Sequence, residues 1–257
     1  SDILFWAQGL NVNLKYDVEI TEPDVSPIQI QGPKSKDIMV KIFGNKILEL
    51  KYYWFKKFKL GNINLLISRT GWSSEFGYEM FLLKTSDGDE LYETLMQEGK
   101  DLGLHPGHTS TIRRIEGGML SYHSDMDINS NPFELGLDKF IDLDKSFDFV
   151  GKNALIKIKK LGIQRKQVGL IIKCEKLKAP NTKKWDIFKN QQCIGQVTSA
   201  VYSPRLEQNI ALAIVDIEYS DINTSLKIKI DDNLVDAKIT LKPFFDPNKL
   251  IAKKSTI

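Results

Sequence analysis

The sequence predicts an α+β protein in which a mixed region of helices and strands precedes a small all-β unit. Before the polar stretch at residues 159–162, amphipathic helical segments alternate with short extended segments, a pattern typical of α+β domains. Beyond Gln167, short apolar runs separated by turn residues predict strands. These runs occupy residues 168–172, 194–200, 209–215, 226–230 and 237–241. We therefore predict a small barrel or sandwich that begins at residue 163.

Local signals predict the first elements in turn. Residues 1–11 carry apolar side chains at helical spacing and predict an amphipathic helix. Residues 17–31, which two prolines interrupt and a Gly-Pro pair follows, predict an extended segment. Ser35 predicts the N-cap of a short helix that ends at Phe43.

Strands and helices then alternate. Residues 48–60 and 62–68 predict the two strands of a hairpin, because Gly61 lies between two runs rich in aromatic and aliphatic residues. The alternation after Gly77 predicts a third strand. An Asp-Gly pair follows that strand and precedes a helix that extends to Leu102.

The next helix begins at Thr109 or Ser110, since either side chain caps a helix well. Its apolar side is predicted to include Ile115. The glycine pair at residues 117–118 permits another part of the backbone to approach closely at its end.

The composition indicates an ordinary globular chain. It has 257 residues, of which 42% are hydrophobic and 27% charged, and its formal net charge is +3. This balance excludes intrinsic disorder, and no apolar run approaches the roughly 20 residues of a membrane-spanning helix. Because charges of both signs are mixed, no field suited to a polyanion results. We expect a cytoplasmic protein with neither nucleic acid nor a membrane as partner.

Cysteine and arginine usage carry further information. Cys174 and Cys193 lack the spacing of a metal site or a disulfide framework, so we predict reduced thiols and no metal. Only five of the 36 basic residues are arginines, and we expect each to lie where a planar fork of donors is required. Residues 51–59 interleave basic and aromatic side chains, as single-strand nucleic-acid platforms do. A buried strand that ends in lysines is the interpretation we favour for them.

The segment SRTGWSSEFGYE at residues 68–79 is the strongest candidate for a site. Glu79 alternates with Phe81 on one face of the predicted strand, so its carboxylate points where apolar side chains point. A buried carboxylate requires hydrogen bonds or an ion pair. Either an arginine of the same chain or a ligand rich in N–H donors would satisfy it.

Five motifs in the same order resemble the tetrahydrofolate-dependent aminomethyltransferase family, which includes the glycine cleavage T-proteins and the dimethylsulfoniopropionate demethylases. They are RTGWSSEFGYE (69–79), RIEGG (114–118), NPFELGL (131–137), FVGKNAL (149–155) and IGQVTSA (194–200). Trp72, where T-proteins usually carry Tyr, and the segment 22–35 are more similar to the demethylase branch.

The resemblance implies a fold class of mixed α/β folate-binding domains of the aminomethyltransferase type followed by a small C-terminal all-β barrel. Residues 1–162 would form the α+β folate-binding region, built of two intertwined subdomains, and residues 163–257 the barrel. In this family a sizeable segment precedes the point that matches residue 1, so we expect the folate-binding region to be N-terminally incomplete.

The resemblance also implies the site. Glu79 would accept hydrogen bonds from the pterin edge of tetrahydrofolate, Trp72 and Phe81 would pack near the ring, and Arg114 would contribute a donor. Tyr53 is a further stacking candidate, with a core position as its alternative. We identify no catalytic residue, because the acid that T-proteins use on the substrate side lies in the segment that this sequence does not match.

Asp125 and Asp127 lie in a polar stretch close to Arg114 in sequence. They either receive a cationic substrate group or cap the turn.

The function that the resemblance implies is transfer of a methyl or aminomethyl unit to tetrahydrofolate, with demethylation of a small sulfonium or methylamine-type substrate such as dimethylsulfoniopropionate as the leading interpretation. The alternatives are a T-protein that works on a lipoyl carrier protein, and a non-catalytic folate-binding regulator.

Overall fold

The computed structural model describes residues 2–254 and divides them into two compact units. Unit 1 contains residues 2–71, 75–107 and 252–254, and unit 2 contains residues 72–74 and 108–251. The α+β character of the first unit and the closed barrel of the second confirm the predicted fold class.

The helices and strands have the following bounds. The α-helices are α1 (Asp2–Leu14), α2 (Ser35–Phe43), α3 (Gly88–Gly99), α4 (Thr111–Glu116), α5 (Lys152–Leu161) and α6 (Leu250–Lys253). The strands are β1 (Ser26–Gln31), β2 (Phe55–Leu60), β3 (Ile63–Ser68), β4 (Gly77–Leu82), β5 (Arg165–Lys173), β6 (Trp185–Lys189), β7 (Gln192–Ser203), β8 (Gln208–Asp216), β9 (Ser225–Ile230) and β10 (Asn233–Thr240).

Unit 1 is built on a four-stranded antiparallel sheet with the order β1-β4-β3-β2. The hairpin between β2 and β3 forms as predicted, with Gly61 at a φ of 55° in its two-residue loop. One face of the sheet is buried and carries the core of the unit. Its most enclosed side chains are Ile28, Ile30, Ile63, Leu65, Ile67, Tyr78, Met80 and Leu82, of which Ile28 alone is half-buried.

Three predictions for unit 1 need correction. Helix α1 forms, but none of its described residues is buried, and Ser1 lies outside the described residues. Ser35 is the first residue of α2 and does not cap it, because its hydroxyl donates to the carbonyl oxygens of Gly32 and Phe76. The strand predicted from residue 48 begins only at Phe55, since a 3₁₀ turn and a bend occupy the positions before it.

Unit 2 contains a closed six-stranded barrel with the order β10-β5-β8-β7-β6-β9. Its interior is filled by aliphatic side chains that alternate along the strands, including Leu170, Ile187 and Ile228, all fully buried. The sequence analysis missed β6. Asn190 and Gln191, both at positive φ, form the hairpin turn between β6 and β7, and Gln is an unusual residue at the second turn position.

Helix α4 precedes the barrel in unit 2. Ser110 caps it as predicted, accepting a hydrogen bond from the Arg113 backbone N–H. The helix ends at Glu116. The predicted approach of backbone occurs at Gly118, where an added Cβ would lie 3.4 Å from Pro243 Cα, whereas the group that approaches Gly117 is a side chain. A side chain at Gly117 would overlap the hydroxyl of Ser74, which belongs to the same unit.

Candidate functional site

The turn before β4 is shaped by Gln31. Its amide Nε2 donates to the carbonyl oxygens of Thr70 (3.2 Å) and Tyr78 (3.3 Å), so it ties the turn to the sheet. Gly71 and Gly77 leave the space that the Gln31 side chain fills, because a Cβ at either position would overlap it. The two glycines of the motif are therefore explained by the packing of one amide side chain.

Glu79 lies on the second face of the sheet, opposite to the predicted one. The buried face carries Tyr78, Met80 and Leu82, whereas Glu79 and Phe81 are half-buried on the more open face. Both sets contain apolar residues, so alternation alone could not decide between them. The carboxylate is thus reachable by a ligand and is not enclosed in the core.

A row of directly opposed residues crosses this open face. Gln29 of β1 pairs with Glu79 of β4, Glu79 pairs with Ser68 of β3, and Ser68 pairs with Phe55 of β2. Directly opposed residues of antiparallel strands project to the same side, with their Cβ atoms about 5 Å apart. The four side chains therefore form one line on one surface.

Glu79 is anchored by a short chain of hydroxyl groups. The Thr70 hydroxyl donates to Glu79 Oε2, and Ser68 Oγ lies 2.5 Å from Thr70 Oγ1. Thr70 is thus the described hydrogen-bond partner of the carboxylate, in place of the arginine that the sequence left open. Since a carboxylate offers about four lone-pair sites, capacity for a donor-rich ligand remains.

Apolar surface surrounds the carboxylate on the open face. Phe81 lies two residues beyond Glu79, and Leu66 of β3 is its half-buried neighbour across the strands. Phe55 is 70% exposed. Sequence reasoning placed Phe55 within the strand predicted over residues 48–60 but did not include it among the site residues. The signal was the β2–β3 register, which brings Phe55 into the Glu79 row.

Tyr53 lies in the bend before β2 and not on a strand. It has a φ of 66° and is 68% exposed, and its ring packs edge-on against Tyr52 with centroids 4.4 Å apart. The Tyr53 backbone N–H donates to the Arg69 carbonyl. The predicted stacking role for Tyr53 therefore has an exposed ring to support it, but not the strand geometry from which it was inferred.

Arg69, the first residue of the motif after β3, is structural. It is 2% exposed, and its guanidinium stacks on Phe76 with Cζ 3.7 Å from the ring centroid. It donates to the carbonyl oxygens of Gly77 (2.8 Å) and Ala252 (2.6 Å). Burial lowers the pKa of Arg69 and raises that of neighbouring Tyr78 to about 12.

Arg114 and Trp72, the remaining two predicted site residues, belong to unit 2. Arg114 is buried and forms an ion pair with Asp125 (2.8 Å), and it donates to Ser199 Oγ (2.8 Å). Its Cζ lies 5.8 Å from the centroid of the Trp72 ring, which is half-buried. The guanidinium and the indole thus lie close together.

Asp125 is the centre of this cluster. Its Oδ2 accepts from the Ser121 backbone N–H (2.9 Å) as well as from Arg114, and its Oδ1 accepts from Thr198 (2.6 Å). The predicted Asx bond is made by Asp127, which accepts from the Asn129 backbone N–H (2.9 Å), whereas Asp125 serves as the ion-pair partner of Arg114. A substrate cation would have to compete with these protein donors before it could bind the carboxylate directly.

Lys242 lies close to the same cluster. It donates to Gln167 Oε1, and its pKa is lowered to about 8 because burial disfavours the ammonium form, an effect that nearby Asp125 opposes. Gln167 is buried, and its Nε2 has no hydrogen-bond partner among residues 2–254. A half-buried lysine is thus part of unit 2 beside Arg114 and Asp125.

The remaining arginines each contact a carboxylate or an aromatic ring. Arg113 pairs with Glu116 (2.9 Å), and Arg165 pairs with Glu134 (3.2 Å). Arg205 lies over the ring of Phe245, with Cζ 4.0 Å from the centroid.

The open face fits a pterin in its chemistry. A half-buried carboxylate with spare acceptor capacity suits adjacent N–H donors, and the apolar side chains beside it suit a flat ring. Among residues 2–254 no helix is long and apolar enough to cross a membrane, and no group of three or more His, Cys, Asp or Glu side chains could hold a metal ion.

Comparison with known proteins identifies related sequences. Residues 3–145 match the GCVT N-terminal domain family, and residues 165–246 match the glycine cleavage T-protein C-terminal barrel domain. The chain is 33% identical to the dimethylsulfoniopropionate demethylase DmdA of Ruegeria pomeroyi, over 91% of this chain and 63% of that protein. It is 32% identical to the aminomethyltransferase of Caldanaerobacter subterraneus subsp. tengcongensis, over 91% of this chain and 62% of that protein.

A solved structure shares the fold. The aminomethyltransferase T of the Bartonella henselae glycine cleavage system aligns with a TM-score of 0.74 and 20% identity, over 94% of this chain and 66% of that one. The chain spans slightly less than two thirds of the length of these relatives. Nearly equal identity to a demethylase and an aminomethyltransferase does not separate the two branches. The two domain matches together show that the chain belongs to the glycine cleavage T-protein family.

Proposed function

We propose that this protein binds tetrahydrofolate and transfers to it a one-carbon unit from a small sulfonium or methylamine-type substrate such as dimethylsulfoniopropionate. The observation that carries the proposal is the anchored, half-buried Glu79 carboxylate on an open sheet face. The choice of substrate class follows Trp72 and the segment 22–35, which are more similar to the demethylase branch. The cytoplasmic location that the composition predicts is part of the same proposal.

The residues on the open face would hold the pterin through complementary chemistry. Glu79 would accept from the adjacent N–H donors of the aminopyrimidinone edge, while Thr70 fixes the orientation of the carboxylate. Phe81 and Phe55 would offer apolar contact to the ring. Arg114 and Trp72 of unit 2, and the exposed ring of Tyr53, remain proposed contributors to the folate site.

The protein's own contribution to the transfer would be orientation and exclusion of water. When bound, tetrahydrofolate would supply N5 as the nucleophile that accepts the methyl group; the sulfonium sulfur would keep the electron pair of the broken C–S bond, and the N5 proton would be released. Glu79 and Thr70 would hold the ring by its aminopyrimidinone edge.

Calorimetry on the full-length protein tests the folate proposal. Replacing Glu79 by Gln removes the negative charge at constant size, and we expect tetrahydrofolate affinity to fall about 10- to 100-fold, the usual value of hydrogen bonds to a charged group. Glu93→Gln, on the exposed side of α3, is the matched control and should bind as the parent does. An unbound parent, or a Glu79→Gln variant with parental affinity, would refute the pterin assignment.

Turnover assays then separate the possible reactions. The aminomethyltransferase relatives favour a second candidate, transfer of an aminomethyl unit from a lipoyl carrier protein as in the glycine cleavage system. Methylated tetrahydrofolate formed from dimethylsulfoniopropionate would support the demethylase proposal. Methylene-tetrahydrofolate formed only from the aminomethylated lipoyl protein would support the second candidate. Folate binding without either product would indicate a non-catalytic folate-binding protein.

A further inference from the structure

The open sheet face carries one polar side chain next to Glu79 that the folate proposal does not yet use. Gln29 of β1 is directly opposed to Glu79 of β4 and projects from the same face. It is exposed, and its side-chain amide makes no hydrogen bond to another side chain or backbone group within residues 2–254. The Cβ atom of this uncommitted side chain therefore lies about 5 Å from the Cβ atom of Glu79.

The chemistry of the pterin edge specifies what should lie at that distance. The only adjacent N–H donors of an aminopyrimidinone are N3–H and the 2-amino group, and a carboxylate accepts from both at once. The 4-oxo oxygen is bonded to the carbon next to N3, so it comes to lie beside the carboxylate. It loses its water on binding, and an acceptor left unpaired costs affinity.

The neighbours of Glu79 in its row differ in their ability to supply that donor. Ser68, on the β3 side, already lies 2.5 Å from the Thr70 hydroxyl and takes part in the chain that anchors Glu79. Phe55, one strand further, has no polar group. Gln29, on the β1 side, has two amide N–H groups and a flexible side chain that can reach over the face.

We propose that Gln29 donates to the 4-oxo oxygen of the pterin and so pairs the acceptor that the Glu79 carboxylate cannot serve. The proposal rests on the proposed function, because it assumes that Glu79 accepts from the pterin edge. Gln29 would thus distinguish oxygen from nitrogen at ring position 4, while Glu79 supplies the anchor. A 4-amino analogue presents donors at the same place and offers no such acceptor. Because its N3 also lacks the hydrogen, the effect of Gln29 is taken from the change in each affinity between the parent and the variants.

Two substitutions of Gln29 test the proposal by calorimetry with tetrahydrofolate and its 4-amino analogue as probes. Gln29→Leu keeps the approximate size and removes the donor, so affinity for tetrahydrofolate should fall about tenfold. Gln29→Glu places an acceptor where the donor stood. This variant should lower the affinity for tetrahydrofolate by at least the same factor. It should also raise the ratio of the affinity for the 4-amino analogue to that for tetrahydrofolate by about 10- to 100-fold.

Gln97→Glu, the same change on the exposed surface of α3, controls for the added charge and should alter neither affinity. The proposal is overturned if Gln29→Glu weakens both ligands equally, or if both Gln29 variants bind tetrahydrofolate as the parent does. That failure differs from failure of the folate assignment itself. If only the Gln29 proposal fails, the parent still binds tetrahydrofolate and Glu79→Gln binds it more weakly. If the folate assignment fails, the parent does not bind tetrahydrofolate or Glu79→Gln binds it equally well.

Discussion

The orientation of Glu79 depends on a single hydroxyl. Thr70 follows β3, two residues after Ser68, and donates to the carboxylate across the turn that Gln31 holds. A carboxylate on an open strand face would otherwise sample several rotamers, and each would direct its oxygens differently. The arrangement keeps one oxygen engaged by the protein and directs the remaining acceptor sites outward.

Replacing Thr70 tests this role. Thr70→Val has nearly the same shape and no donor, so we expect tetrahydrofolate affinity to fall about tenfold. Thr70→Ser retains the hydroxyl and should restore most of the loss, which separates orientation of Glu79 from packing of the turn. Isothermal calorimetry measures both variants. Equal affinities of the Val and Ser variants would show that the hydroxyl does not position the carboxylate.

At the residue scale the sequence identified the chemistry better than the placement. Glu79 and the neighbouring apolar residues were predicted as one group, and they do share a surface. The choice of face was wrong because both sides of β4 are apolar enough to form a core. Which side is covered depends on which residues of β1 and β3 are buried with it, and that pairing is not a local property.

At the element scale, the predicted helix and strand boundaries were correct where a turn or capping residue marked them. Gly61 marked the β2–β3 hairpin and Ser110 the start of α4, since each residue has a specific local role there. The start of β2 was missed because the aromatic run before Phe55 has high strand propensity, but Tyr53 adopts a positive φ and ends the extended conformation. Tertiary contacts, including the hydrogen bond from Tyr53 N–H to the Arg69 carbonyl, stabilise that bend.

The end of α4 offers a test of close packing within unit 2, between Gly117 and the side chain of Ser74. Gly117→Ala would drive a methyl group into the Ser74 hydroxyl, so we expect a loss of about 1–3 kcal/mol in the free energy of unfolding. Ser74 has a φ of 58°, which glycine adopts readily, so adding Ser74→Gly should recover part of that loss. Urea unfolding of the single and double variants measures it.

The two effects are expected to couple. The structure shows a contact between the two positions. That contact is contradicted if the change in unfolding free energy of the double variant equals the sum of the changes in Gly117→Ala and in Ser74→Gly alone. A Gly107→Ala variant serves as the comparison for an added methyl group without overlap, because Gly107, like Gly117, has no positive φ and an added Cβ there would meet no atom within 4 Å.

For the whole molecule, the family motifs predicted more than periodicity did. The fold class is confirmed, with an α+β unit and a closed barrel. Periodicity alone left barrel and sandwich open, because closure depends on the pairing of β10 with β5 and of β6 with β9, far apart in the chain. The division into units could not be read from the sequence either, since residues 252–254 return to the first unit.

The stability of the whole molecule should depend on pH through Lys242. Its pKa is lowered to about 8 in the folded state, so between about pH 8 and 10 the unfolded chain binds a proton that the folded chain has released. Stability contributed by this group therefore rises with pH across that window. Urea unfolding at pH 8 and pH 10 measures this effect. The change in the free energy of unfolding from pH 8 to pH 10 should be more positive for the parent than for Lys242→Met.

The comparison with Lys242→Met cancels the other groups that titrate in the same range. Cys174, whose pKa burial raises, and Tyr78, whose pKa is about 12, lower stability as pH rises, but they do so equally in both proteins. Identical pH dependence in the two proteins would mean that Lys242 is as well solvated in the folded chain as in the unfolded one.

The hydrogen bond from Arg69 to the Ala252 carbonyl has a consequence for biosynthesis. It joins positions 183 residues apart, and every strand of the barrel is translated between them. Ala252 therefore leaves the ribosome only after most of the second unit has emerged. Until then, the guanidinium of Arg69 in the nascent first unit lacks its hydrogen bond to the Ala252 carbonyl. Final closure of that unit should be a late event with high contact order, although its sheet is made first.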